Sequence, residues 1–238
     1  MFRFFPYFGA KRQHAAHYAA PRHSLIVEPF AGSAGYATLY HQHRVLLLDV
    51  DPSVCETWRY LIRVDPEELL SLPDVPIDGS VDDIICTQEQ RALIGWWLQH
   101  GRTTPARKPS SWMRSGKRPL SYWGQGVREK LARQVPHIRH WEIREASYDD
   151  APHVEATWFI DPPYKVAGTH YVHGSTGIDY DKLADWCISR HGQVMVCEND
   201  GSDWLPFRSF RSVRATPGRG RSGRSSEAIW TNGLEDHL

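Results

Sequence analysis

Several things are scarce in this 238-residue chain, and each absence removes a class of protein. No apolar run approaches the roughly 20 residues of a membrane span. The opening MFRFFPYFGAKRQ turns polar too early for a secretory leader, so a cytoplasmic protein with no membrane partner is expected. There are only four cysteines, Cys55, Cys86, Cys187 and Cys197, and no two form a CxxC pair. A disulfide framework and a zinc site are therefore not indicated, and buried reduced thiols are expected. The 13 histidines include no HExxH array, so no metal is expected. Net charge is also absent, with 28 Lys and Arg against 28 Asp and Glu.

That balance conceals an asymmetry. Residues 100–144 hold 11 Lys/Arg and only two acids, Glu129 and Glu142, a net of +9. The rest of the chain then carries −9. A basic segment on an otherwise acidic protein points to a polyanionic partner, or to a solvated charged face. Trp112, Trp123 and Trp141 lie among these cations, either as core residues or as contacts to that partner.

Hydrophobic runs and turn residues outline the fold. SLIVEPFAGSAGY (24–36) reads as a strand feeding a small-residue turn, with a helix after it. RVLLLDVDPS (44–53) is a second buried strand ending in acids, and VCETWRYLI after it has helical spacing. Residues 65–85 are acidic and proline-containing, a short helix and loop. Helices are predicted at 87–100, 126–135 and 179–191, with 101–123 as loop. Strands are predicted at 140–148, 156–164 and 192–200, and a closing β-hairpin at 207–215 and 227–232. Alternating strands and helices imply an α/β protein, a parallel sheet with helices on both faces. The stretch from 52 to 139 is far longer than one crossover needs. An inserted, mainly helical lobe is expected at 54–138, with 1–53 and 139–238 forming the core.

Two stretches carry chemistry. In EPFAGSAG, Gly32 and Gly35 sit between strand and helix, where backbone can approach a ligand closely. The loop is not GxGxxG, so a nicotinamide enzyme is not supported. Asp49 closes the second strand, where an acid can hold the hydroxyls of a ribose. A capping turn and a surface acid are the plainer alternative. In WFIDPPY, a buried strand ends in Asp161, Pro162, Pro163 and Tyr164. The exocyclic amine of adenine is a poor nucleophile because its lone pair is delocalised into the ring. Asp161 and the Pro162 carbonyl can accept its two N–H bonds, which favours a tetrahedral nitrogen with its lone pair freed. The two prolines fix φ and remove two backbone donors. Tyr164 can stack on the base. A proline-rich loop after a strand is the alternative.

Taken together and in this order, the segments resemble the Dam-like class of DNA adenine-N6 methyltransferases common in phages and bacteria. FFPYFGAK (4–11) is similar to that family's N-terminal cofactor motif, which implies Tyr7 and Lys11 near S-adenosylmethionine. VEPFAGSAG resembles its principal cofactor loop, implying Glu28, Phe30, Gly32 and Gly35. LLLDVD resembles its ribose-binding strand end, at Asp49. EASYDD (145–150) resembles the segment beside the cofactor adenine, implying Ser147 and Tyr148. DPPY is its catalytic motif, and Asp161 also faces the cofactor. SSEAIWTN resembles its closing hairpin. The resemblance implies a three-layer, Rossmann-like methyltransferase core acting as a monomer on double-stranded DNA, with the target base flipped out. Arg114, Lys117, Arg118, Arg219 and Arg221 are the expected DNA contacts. Two departures stand out: GSAG replaces the commoner GSGA or GAGS, and Asp51 stands where Asn is usual. The lobe also lacks the recognition pattern of GATC-specific members, which leaves the target sequence open. No cysteine follows a proline, so the nucleophile of a cytosine-C5 enzyme is missing. An RNA adenine-N6 methyltransferase, and an inactive DNA-binding protein that keeps the fold, remain as alternatives.

Overall fold

The computed structural model describes residues 1–11, 14–116, 121–165, 175–214 and 224–233. In chain order it contains β1 (Leu25–Glu28), α1 (Gly35–Leu39), β2 (Arg44–Asp49), α2 (Pro52–Arg63), α3 (Pro66–Ser71), α4 (Gln88–Leu98), α5 (Ser111–Arg114) and α6 (Gln125–Gln134). These are followed by β3 (Glu142–Glu145), β4 (Glu155–Ile160), α7 (Tyr180–Ile188), β5 (His191–Asn199), β6 (Arg208–Arg214) and β7 (Arg224–Thr231).

The strands form one seven-stranded sheet in the order β3-β2-β1-β4-β5-β7-β6. β1, β2, β3, β4 and β5 pair in parallel, while β7 is antiparallel to both β5 and β6. The expected α/β class and closing hairpin are therefore present. Strand periodicity explains why both faces are covered. Ile26, Leu47, Phe159 and Met195 point into one apolar cluster, shared with Phe4, Phe5 and the helices α2, α4 and α6. Their neighbours Val27, Leu46, Leu48, Trp158 and Val196 point into the other, which Leu183 and Cys187 of α7 complete. Each such side chain, fully buried, contributes about 1.5–3 kcal/mol.

Helix starts follow local chemistry. Asp51 caps α2, accepting from the Ser53 N–H at 2.8 Å, with Pro52 at the first helical position. Thr87 and Gln90 cap α4 reciprocally. The stretch 101–123, expected to be loop, includes the single helical turn α5.

The expected lobe boundary at residue 54 falls two residues into α2, and this helix packs against β2 and β3. Leu93, Trp96 and Trp97 of α4 and Leu131 of α6 share the cluster that holds Ile26 and Leu47. The basic stretch also folds back onto the acidic one. Arg107 pairs with Asp82, which Arg91 also engages, Arg128 with Asp74, and Arg139 with Asp65. These acids offset three of the nine excess positive charges read along the chain, and residues 54–138 as a whole hold 12 Lys/Arg against 10 Asp/Glu. The three tryptophans divide. Trp123 and Trp141 are core residues whose indole N–H groups donate to the carbonyls of Pro73 and His41. Trp112 on α5 is 58% exposed. Cys55, Cys187 and Cys197 are buried and Cys86 is partly exposed, all as free thiols.

Candidate functional site

The strand order reverses between β1 and β4, since β1 leads outward to β2 and β4 leads outward to β5. Loops at the carboxyl ends of strands diverge at such a switch point and leave a crevice. A cleft of about 360 Å³ lies there, within the range of small-molecule sites. Its walls come from residues 7–11, the turn 28–35, residues 49–51, Ser147 and Tyr148, and the end of β4.

The turn after β1 is built for close approach. Gly32 has φ +43°, and a Cβ there would meet the Tyr7 ring at 3.0 Å. Only glycine takes that backbone and that contact without strain. The Gly32 N–H donates to Asp49 Oδ2 at 2.9 Å, and its carbonyl accepts from the Trp58 indole at 2.8 Å. Two residues on, Ala34 also takes a left-handed conformation, φ 48° and ψ 55°. The order GSAG thus places alanine where glycine would sit at lower steric cost. Glu28 is buried under this turn and accepts from the Ala37 N–H at 2.6 Å. Burial pushes its carboxyl up to about 8, which the Ala37 hydrogen bond only partly opposes.

Asp49 ends β2, and its other oxygen accepts from the Asp51 N–H at 2.9 Å. A carboxylate oxygen can accept more than one hydrogen bond, so a ligand hydroxyl can share either of them. Asp51 caps α2 through Oδ1, which accepts from the Ser53 N–H and hydroxyl, and it also lines the cleft. Across the cleft, Phe30 and Tyr148 stack with centroids 5.5 Å apart. Tyr148 stands on a 3-10 turn, Tyr148–Asp150, which Ser147 and Asp150 cap reciprocally.

Asp161 follows β4 and stands at the cleft. Lys11, 150 residues away, spans its carboxylate: Nζ is 2.9 Å from Oδ1 and 3.0 Å from Oδ2. The same ammonium lies 4.7 Å from the centroid of the Tyr164 ring and 3.8 Å from Glu227 Oε1. The Lys11 side chain is 7% exposed and that of Asp161 20%. Burial works against the ammonium, but Asp161 foremost, with Glu227 further back, holds Lys11 above its ordinary value. Burial also pushes the Asp161 carboxyl up. Lys11 opposes that, while Glu227 and Glu198 reinforce it. Pro162 is buried, and the Pro163 carbonyl accepts from the Tyr180 hydroxyl, which anchors the turn to α7.

The fold therefore brings Tyr7, Lys11, Glu28, Phe30, Gly32, Gly35, Asp49, Ser147, Tyr148, Asp161 and Pro163 to one cleft from five parts of the chain. Tyr164 joins it through Lys11. Arg114 is exposed on α5, where its guanidinium donates to the Pro109 carbonyl at 2.6 Å, and it does not line the cleft. Lys117, Arg118, Arg219 and Arg221 lie outside the described residues. Sequence reasoning missed Glu227, Trp58 and Tyr180 as supports of the site. Glu227 had one signal, an acid directly before the apolar run Ala228, Ile229 and Trp230. Among the described residues, no helix is long and apolar enough to cross a membrane, and no cluster of His, Cys, Asp and Glu could hold a metal. No protein-family model matches the chain, and no curated protein matches it.

Proposed function

We propose that this protein is an S-adenosylmethionine-dependent methyltransferase of the Dam-like class, acting on N6 of adenine in double-stranded DNA. The observation that carries the proposal is convergence. A tight glycine turn, a strand-end acid, a pair of aromatic rings and an acid-Pro-Pro-Tyr turn are scattered in sequence but meet at one switch-point cleft. On this reading the sheet is a Rossmann-like methyltransferase core, and residues 54–138 are the part that meets the target.

The cleft fits the nucleoside. Asp49 offers carboxylate acceptors at the end of β2, and the absence of a Cβ at Gly32 leaves the backbone open to approach. Phe30 and Tyr148 present apolar ring surface for a base, and Ser147 lies beside them. Glu28 supplies an acid for the amino-acid end, with Tyr7 over the glycine turn and Gly35 opening α1. When bound, S-adenosylmethionine supplies an electrophilic methyl group.

The chain's own residues then handle the amine. A target adenine flipped from the duplex places its exocyclic N–H groups on Asp161 and the Pro162 carbonyl. Both acceptors are fixed beforehand: the prolines cannot rotate about φ and Tyr180 holds the carbonyl next to that of Pro162, while Lys11 holds the Asp161 carboxylate. Burial raises the proton affinity of Asp161, which makes it a stronger acceptor for an N–H that grows acidic as nitrogen attacks. One preorganised partner of this kind contributes about 100- to 1000-fold in rate. Tyr164 gives the base a π-face. Exposed Trp112 and Arg114 stand on the segment that leads to Lys117 and Arg118, where phosphate contacts would supply affinity.

The test is direct. DNA from cells expressing the protein should resist nucleases blocked by adenine methylation, and single-molecule sequencing should show one methylated motif. Unmodified DNA with methylated RNA would move the substrate to RNA. DNA binding with no methyl transfer to either would leave a binding protein.

A further inference from the structure

Lys11 stands where a substrate amine should stand. Its ammonium donates to Asp161 Oδ2, lies 2.9 Å from Oδ1 and sits over the Tyr164 ring, at two of the groups that the proposed clamp offers to adenine. An amine entering the clamp therefore shares the Asp161 carboxylate with Lys11 and weakens the hold of that carboxylate on the ammonium. A buried cation that loses its counter-ion is costly, so the exchange needs a second anion within reach.

One is present. Glu227 on β7 is buried, and its Oε1 is 3.8 Å from Lys11 Nζ. Tyr18 steadies it from the far side, with the hydroxyl donating to Oε2 at 3.3 Å. The Gly9 carbonyl, 3.3 Å from Nζ, completes the ammonium's surroundings. Side chains from the N-terminal segment, β4 and β7 meet here, 216 residues apart at the extreme.

We propose that Glu227 is a positioning residue that shares the Lys11 ammonium with Asp161, so that Lys11 shifts toward Glu227 when a substrate amine enters the clamp. Lys11 holds Asp161 in place while the clamp is empty and yields it on binding, and the buried charge stays paired throughout. This inference deepens the methyltransferase reading and rests on it for the identity of the amine. The sharing itself is a property of the cluster. The groups acting on Asp161 are Lys11, Glu227 and Glu198, with Glu28, Tyr18 and Cys197 further out.

The test begins without substrate, by following the Asp161 carboxyl carbon in a pH titration by NMR. In Glu227→Gln the ammonium belongs to Asp161 alone and a neighbouring negative charge is gone. The Asp161 midpoint should move down by about one pH unit. In a methylation assay the same variant should raise KM for DNA about tenfold, leave cofactor affinity unchanged and shift the acid limb of kcat to lower pH. Glu227→Asp should restore most of the loss. A destabilised protein whose Asp161 midpoint stays in place would make Glu227 merely structural and overturn the proposal. If Glu227→Gln fails to fold, Asp161→Asn serves instead. There the Lys11 Cε resonance should report a charged ammonium through pH 9, held by Glu227, and titration of Lys11 below its ordinary value would overturn the sharing. Should the wild type methylate no nucleic acid, the titrations still decide the sharing, and only the function falls.

Discussion

Replacing Glu28 by Gln should stabilise the protein, and increasingly so as pH rises. Glu28 is 3% exposed, its pKa is pushed up to about 8 by burial, and the ordinary value is 4.5. The folded state therefore binds this proton more tightly than the unfolded state does. For such a raised group, stability is fully present below pH 4.5 and is lost as pH rises, up to the folded value near 8. Each pH unit in that window costs about 1.4 kcal/mol. The full interval amounts to ~5 kcal/mol, a large share of a domain's roughly 5–15 kcal/mol. Gln keeps the carbonyl that accepts from Ala37, is nearly isosteric and cannot ionise. Urea unfolding of both proteins at pH 5, 6, 7, 8 and 9 would read the difference. The variant's advantage should be small at pH 5, grow to pH 8 and then level off. A difference independent of pH would refute the reasoning, because Glu28 would then ionise as it does in water. Since Glu28 lines the cleft, a cationic ligand group bound beside it should also expel its proton, detectable by calorimetry in buffers of different ionisation heat.

The other expectations concern the site and its proposed partners. Asp161→Ala should lower single-turnover methyl transfer at least 100-fold; Tyr164→Ala should be severe and Tyr164→Phe mild, since stacking needs the ring, and an equal loss in both would sink the stacking role. Asp49→Ala should weaken S-adenosylmethionine binding by roughly 1–3 kcal/mol in calorimetry. It also removes the acceptor of the Gly32 N–H, and unchanged affinity would put the ribose elsewhere, with Asp51, which also lines the cleft, the next candidate. Gly32→Ala should cost about 1–2 kcal/mol of stability, because alanine must take φ +43° with its Cβ against the Tyr7 ring; a neutral result in thermal unfolding would mean that the turn relaxes freely. Neutralising Arg114, Lys117 and Arg118 together should lower the log–log salt slope of DNA binding by about 0.9 for each phosphate the protein no longer neutralises, and a slope equal to wild type would show those charges to be merely solvated.

What the sequence determined by itself is the set of local pieces. Strands over Leu25–Glu28, Arg44–Asp49 and Glu155–Ile160 were legible because buried parallel strands must be continuously apolar. The glycine turn and the Asp-Pro-Pro-Tyr turn were legible because their backbones demand particular residues within a few positions. Their common order along the chain was enough to suggest one cleft. Only the tertiary structure decided what stands behind each piece. Glu227 reaches Lys11 because β7 inserts antiparallel beside β5, a pairing that no local pattern encodes. Trp58 and Tyr180 look like ordinary helix residues until packing aims one at the Gly32 carbonyl and the other at that of Pro163. The three tryptophans of the basic segment are alike in sequence, and burial alone separates Trp123 and Trp141 from Trp112. The charge excess of residues 100–144 was real along the chain and is answered in part by Asp65, Asp74 and Asp82 once folded. Charges act through space over several ångströms, so their balance belongs to the fold and not to the order of residues.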